Sequence, residues 1–252
     1  MQDILLFLVG IAVGATNSIA GGGVLLAFPV FLALGLSPIV ANVTCNIVAV
    51  PGCFSSAYGY RKYLRKMHRR YLVLLVPCIA GSATGAFILS HTTGAKFQQI
   101  VPALVGCAVI LFAFQPLLHA HLRGHIHGRR KDLKSLGIIA VALIPAAIYG
   151  GYFGAGFGFI MLAFLGFTKL HEIHRMNGLK NLAAGCITLT SATVLYSHHL
   201  INWRFGLVTA AGCTLGGYYG SVFSQKVSSH AIRVFVIVIG VGTAAYLAFR
   251  SY

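Results

Sequence analysis

The chain carries one unit twice. Asn42-Val-Thr-Cys-Asn46 returns as Asn177-Gly-Leu-Lys-Asn181, and Gly81-Ser-Ala-Thr-Gly85 returns as Gly212-Cys-Thr-Leu-Gly216. Gly21-Gly-Gly23 has a looser counterpart in Gly154-Ala-Gly156. The three pairs keep chain order and stand 131 to 135 residues apart. A duplicated unit constrains the whole architecture, because whatever one copy folds into, the other must match. The sequence therefore divides into a first repeat at 1–118, a linker at 119–135 and a second repeat at 136–252.

Both copies belong in lipid. Hydrophobic residues make up 58% of the chain and charged residues 9%, with a mean hydropathy of +0.84. That leaves too little polar surface to cover a water-soluble globule of this length. Apolar runs at 4–20, 39–58, 71–90, 97–118, 136–152, 176–196, 205–222 and 231–249 approach the roughly 20 residues that a helix needs to cross ~30 Å of hydrocarbon. Two more, 24–34 and 157–167, are shorter and reach only about 16 Å. They read as half-helices, or as the second arms of broken hairpins.

The net charge of +16 is distributed as membrane topology, not as a nucleic-acid surface. Arg61, Lys62, Arg65, Lys66, Arg69 and Arg70 fill one connection, and Arg123, Arg129, Arg130, Lys131 and Lys134 another. Short basic loops beside spans mark the cytoplasmic side. Two spans separate these loops, with the nearly neutral turn at 91–96 outside. The linker is thus cytoplasmic, and the chain is placed in the cytoplasmic (inner) membrane. The N-terminus lacks a positively charged leader region and reads as the first mature helix.

That parity sets how the copies relate. The first begins outside and ends inside at the basic linker, whereas the second begins inside and ends outside. The expected fold is an all-α polytopic membrane protein with two inverted repeats of about five helical segments each, broken or re-entrant at the glycine-rich breaks. A single long helix over 4–34 would instead make the repeats parallel.

Inverted repeats with interrupted helices characterise secondary transporters, whose substrates sit near the midplane between the repeats. Gly21, Gly22 and Gly23 permit a sharp break before Val24, and Gly154, Gly156 and Gly158 permit one around Phe157. A helix starting at such a break presents unpaired N–H groups and a positive dipole end, which favour an anion. Close helix packing would use glycines as well. Asn42 and Asn46 are four residues apart, as are Asn177 and Asn181, so each pair lies on one helical face. Unpaired amides in hydrocarbon are costly, so these faces must meet protein or a polar cavity. They read either as interhelical glue or as the lining of one central site. Lys180 lies inside the second pair, where the first repeat has Cys45; it either binds an anion or snorkels towards the cytoplasmic boundary. The carboxylates are Asp3, Asp132 and Glu172, none deep in a span, so the set suits an anion and disfavours a metal cation.

Over nearly its full length the sequence resembles the TauE/SafE sulfite exporters, also called the 4-toluene sulfonate uptake permeases. The resemblance rests on Asn17-Ser-Ile-Ala-Gly-Gly-Gly23, Gly35-Leu-Ser-Pro-Ile-Val-Ala-Asn42, His174-Arg-Met-Asn-Gly-Leu-Lys-Asn181, and Ile201-Asn-Trp-Arg204 leading into Gly216-Gly-Tyr-Tyr-Gly220. It implies secondary transport of small anions such as sulfite, organosulfonates or related organosulfur compounds. Where the family pattern has Gly-Thr followed by a polar residue, this chain has Val43-Thr44-Cys45, which leaves the substrate open. The candidate substrate-binding residues are Asn17, Gly21, Gly22, Gly23, Asn42, Thr44, Asn46, Gly154, Gly156, Asn177, Lys180 and Asn181.

His171 and His174 flank Glu172 at the mouth of the Asn177 helix and are candidates for a proton-linked gate. His119, His121, His125 and His127 lie among arginines in the linker, which favours a solvated, lipid-facing loop over a metal site. The six cysteines are scattered through apolar runs without CxxC spacing and read as buried small residues. No nucleophile with a base and no paired carboxylates occur at depth, so an enzyme is disfavoured. No P-loop is present, and no cofactor is called for. A passive anion channel of the same architecture remains the other reading. The expected partners are the anion and the bilayer, with homo-oligomerisation left open.

Overall fold

Helix α1 (Gln2–Ile19) stops short of the triple glycine, and α2 (Val24–Ala33) starts immediately after it. Then come α3 (Pro38–Gly59), the short α4 (Arg61–Arg65), a 3-10 turn at Arg69–Leu74, α5 (Leu75–Ser90) and α6 (Gly94–His125). They are followed by α7 (Asp132–Tyr152), α8 (Phe157–Gly166), α9 (Ile173–Leu195), a 3-10 turn at Tyr196–His198 and α10 (Trp203–Phe223). This computed structural model describes residues 1–19, 21–125, 132–168, 170 and 172–224, and among them there is no strand.

The distribution of side chains is that of a protein in lipid. Ile4, Leu8, Val76, Phe87, Ile138 and Leu207 point outward and are exposed, whereas Asn42, Asn46, Lys180 and Asn181 are fully buried. Among the described residues, three segments, Gln2–Ile19, Pro38–Gly59 and Arg69–Ser90, are long and apolar enough to cross a membrane. Helices α9 and α10 have the length but interrupt it with small and polar residues, which they turn inward.

Two rows of small residues decide which helices pair. A Cβ on Gly14 or Gly216 would collide with the backbone of the facing helix, at Cys213 and Ile11 respectively, so α1 and α10 pack backbone against backbone. Gly85 meets Ile148 in the same way and joins α5 to α7. Without a hydrophobic drive between helices in lipid, such close approach is what holds them, through dispersion contacts. Contacts advance in the same direction along both elements for α1 with α10, from Phe7–Gly212 to Ala15–Gly220. They run oppositely for α3 with α9, from Asn46–Ser191 to Phe54–Gly185.

Polar contacts fix the ends of the bundle. Arg204 at the start of α10 reaches Asp3 at the start of α1 (3.1 Å), and the Asn202 N–H donates to Thr44 Oγ1 near the start of α3 (3.1 Å). At the other end of α3, the Tyr60 hydroxyl is bonded to Ser224 Oγ, just after α10. The described cysteines are all free; Cys45, Cys53, Cys78 and Cys213 are buried, Cys186 is half-buried and Cys107 is exposed.

Candidate functional site

Two glycine-rich breaks in the chain, one between α1 and α2 and one between α7 and α8, face each other inside the bundle. In the first, Gly21 has φ +91°; in the second, Gly154 and Gly156 have φ +79° and +85°. Side chains with a Cβ rarely adopt this region, so these positions need glycine. The breaks touch: a Cβ on Gly21 would lie 2.9 Å from the Gly158 Cα, in the first turn of α8. No side chain caps the start of α2 at Gly23 or of α8 at Gly156. Two uncapped, positively polarised helix starts therefore flank one buried point.

The other helix ends at the breaks are capped. Lys180, fully buried on α9, donates from Nζ to the carbonyl oxygens of Asn17 (3.0 Å) and Ser18 (3.2 Å) at the end of α1. Asn181 Nδ2 donates to the same Ser18 oxygen (3.3 Å). An ammonium at a helix C-terminus offsets the negative end of the dipole, and hydrogen bonds to a charged group contribute about 1.5–3 kcal/mol. These bonds hold Lys180 Nζ inside the bundle. The lysine lies with its stem against the first break, Cδ being 3.6 Å from a Cβ placed on Gly21.

The second break is capped without a cation. Asn42 Nδ2 donates to the Tyr152 carbonyl oxygen (3.0 Å). Asn46 Nδ2 donates to Ser191 Oγ (3.1 Å), whose hydroxyl donates in turn to the Gly151 carbonyl oxygen (2.9 Å). Helix α9 thus caps the end of α1, and α3, with Ser191 of α9, caps the end of α7.

These bonds also fix which way the amides face. A carbonyl oxygen only accepts, and the Ser191 hydroxyl proton is committed to Gly151, so the NH2 sides of Asn42, Asn46 and Asn181 must face their caps. Their Oδ1 atoms, with that of Asn177, are buried and without a partner among the described residues. The asparagines therefore present unpaired Oδ1 acceptors inside the bundle.

The structure gathers most of the residues expected from the sequence. Gly21, Gly22, Gly23, Gly154, Gly156, Asn42, Asn46, Lys180 and Asn181 surround the breaks, together with the Asn17 backbone; the Asn17 side chain donates to Cys53 Sγ (3.0 Å). Thr44 faces the first turn of α10 instead. Asn177 lies one turn before Asn181 on α9. His174 stacks on Tyr60 and Tyr63, with centroids 6.2 and 4.9 Å away, and Glu172 pairs with Arg175 on the same turn. His171 and the side chains of the linker histidines lie outside the described residues. Ser191 was not foreseen, since its partner Gly151 is 40 residues away in the chain and no spacing signals it.

The sulfite exporter TauE/SafE family model matches residues 6–247. The chain belongs to this family. It is 27% identical to a "Probable membrane transporter protein" of Haemophilus influenzae over 93% of this chain and 90% of the relative. It is also 27% identical to the "Probable membrane transporter protein YfcA" of Escherichia coli K12 over 98% of this chain and 90% of that relative. A Sinorhizobium relative, "Probable membrane transporter protein ORF9", is 26% identical over 98% of this chain and 95% of its own length. The relatives' names are those of transporters, not of enzymes. No solved structure matches the chain.

Proposed function

We propose that this membrane protein is a secondary transporter that carries a small anion, of the sulfite or organosulfonate kind, through a site between two inverted repeats. The observation that carries the reading is the meeting of two uncapped helix starts, at Gly23 and Gly156, beside the fully buried Lys180. Backbone N–H groups and one ammonium would replace the water stripped from the anion, with no carboxylate among the described residues nearby to oppose it. The inverted relation is supported by helix direction. Helices α3 and α9, which carry the matching asparagine pairs, run antiparallel, whereas each repeat's first helix packs parallel to α5 or α10 of the other.

Flux into proteoliposomes tests this reading across sulfite, sulfate, thiosulfate, sulfoacetate and taurine. Saturable uptake of one or more of them, with counterflow of a preloaded anion, is the expected result. Unsaturable flux would make the protein a channel, and no flux of any of them would remove the assignment. Direction is read from which gradient drives net movement.

A further inference from the structure

The two breaks are matched in shape but not in charge. Lys180 lies at the first; the residue that takes its place beside the Asn42 and Asn46 pair is Cys45, which is buried and free. What the second break has is oxygen. Among the described residues, a Cβ placed on Gly154 would meet only Asn46 Oδ1 (2.9 Å) and the Gly150 carbonyl oxygen (3.6 Å) within 4 Å. Asn46 Oδ1 is fully buried and unpartnered, and so is Asn42 Oδ1 on the same helical face. Leaving a buried acceptor unpaired costs about 1–3 kcal/mol. Gly154 in turn lies one helical turn's worth of chain before Gly158, the residue that touches the first break.

We propose that the transported anion carries a hydrogen-bond donor of its own, an O–H or N–H group, which docks on Asn46 Oδ1 at the second break while its anionic end lies by the helix starts and Lys180. This rests on the anion-carrier reading above. The same acceptors could take an alkali cation, but the observations favour a donor. Lys180 Nζ is already in the site, and among the described residues no carboxylate is there to offset an added positive charge. A solute that is anionic at one end and donor-bearing at the other completes both breaks at once. A site built to accept a hydroxyl proton discriminates strongly against a ligand lacking one, because the acceptor is then stranded.

Two sulfonates that differ by one hydroxyl read this directly. Ethanesulfonate and 2-hydroxyethanesulfonate would be bound to the purified full-length protein, with sodium or N-methyl-D-glucamine as the cation. The expected result is at least ~10-fold tighter binding of the hydroxylated compound in both cations. In Asn46→Leu, and in the smaller Asn46→Ser, that ratio should collapse to within about twofold of unity. Equal affinities in the wild type overturn the proposal. If binding also needs sodium, and loses that need in Asn46→Leu, the acceptors hold a coupling cation instead. Retention of the ratio in both variants overturns the proposal as well, and leaves anion carriage intact. Failure of both sulfonates to bind, combined with no flux of any anion in proteoliposomes, removes the carrier reading itself.

Discussion

Gly21 and Gly158 touch through their backbones: a Cβ on Gly158 would lie 2.8 Å from the Gly21 Cα. No side chain fits between the two breaks, so the helix starts of α2 and α8 are held as near to one another as the chain allows. Gly158→Ala must push them apart, and Gly21→Ala adds the strain of a positive φ. Both variants are expected to lower flux at least ~10-fold, as a misplacement of site groups by even ~1 Å can. Size-exclusion profiles should still show monodisperse protein. Normal flux in Gly158→Ala would reduce the contact to helix packing.

Removing the charge at Lys180 tests the electrostatic half of the site. Lys180→Met keeps the apolar stem, and anion affinity is expected to weaken by at least ~10-fold, or about 1.4 kcal/mol. Lys180→Arg retains the charge, but its planar fork cannot reproduce a compact ammonium between the Asn17 and Ser18 carbonyls, so it should bind less well than wild type. Titration by calorimetry on monodisperse protein decides the matter. Unchanged affinity in the Met variant would confine Lys180 to capping α1.

A stability prediction separates the packing glycines from lipid-facing positions. Gly14→Leu would drive a side chain into the α10 backbone and should cost about 3 kcal/mol. Leu215 lies on the outer face of α10 and is 46% exposed, so Leu215→Ala should leave the melting temperature within a degree or two. Thermal unfolding in one detergent compares them.

Orientation follows from the basic loops. Thr93→Cys, in the turn between α5 and α6, should react with a membrane-impermeant maleimide in intact cells, whereas Lys66→Cys should react only after permeabilisation. The reverse pattern would invert the topology without altering the fold.

Much of this arrangement is legible in the residues themselves. The i, i+4 spacing of Asn42 and Asn46 implies one shared face, and both side chains do turn toward the end of α7. Glycine runs mark both breaks, where Gly21, Gly154 and Gly156 take a positive φ. What spacing alone does not carry is the partner. Asn42 reaches Tyr152 and Lys180 reaches Asn17, more than a hundred residues away in each case, so the sequence leaves open whether an amide donates or accepts at the site. Thr44 illustrates the same point: two residues from Asn42, it is rotated to the other face of α3 and meets Asn202. The identity of the anion is less legible still, because it depends on a few oxygens whose direction is set by those distant caps.

The crossed capping has a consequence for how the protein is made. The Asn17 carbonyl enters the bilayer 163 residues before the lysine that satisfies it has been synthesised. At ordinary elongation rates that interval is roughly 10–30 s. Throughout it, the frayed end of α1 must be hydrated or sheltered by the insertion machinery, since lipid offers it no donor. The first half alone is thus an incomplete product, and degradation of chains truncated before α9 would be the cell's expected response.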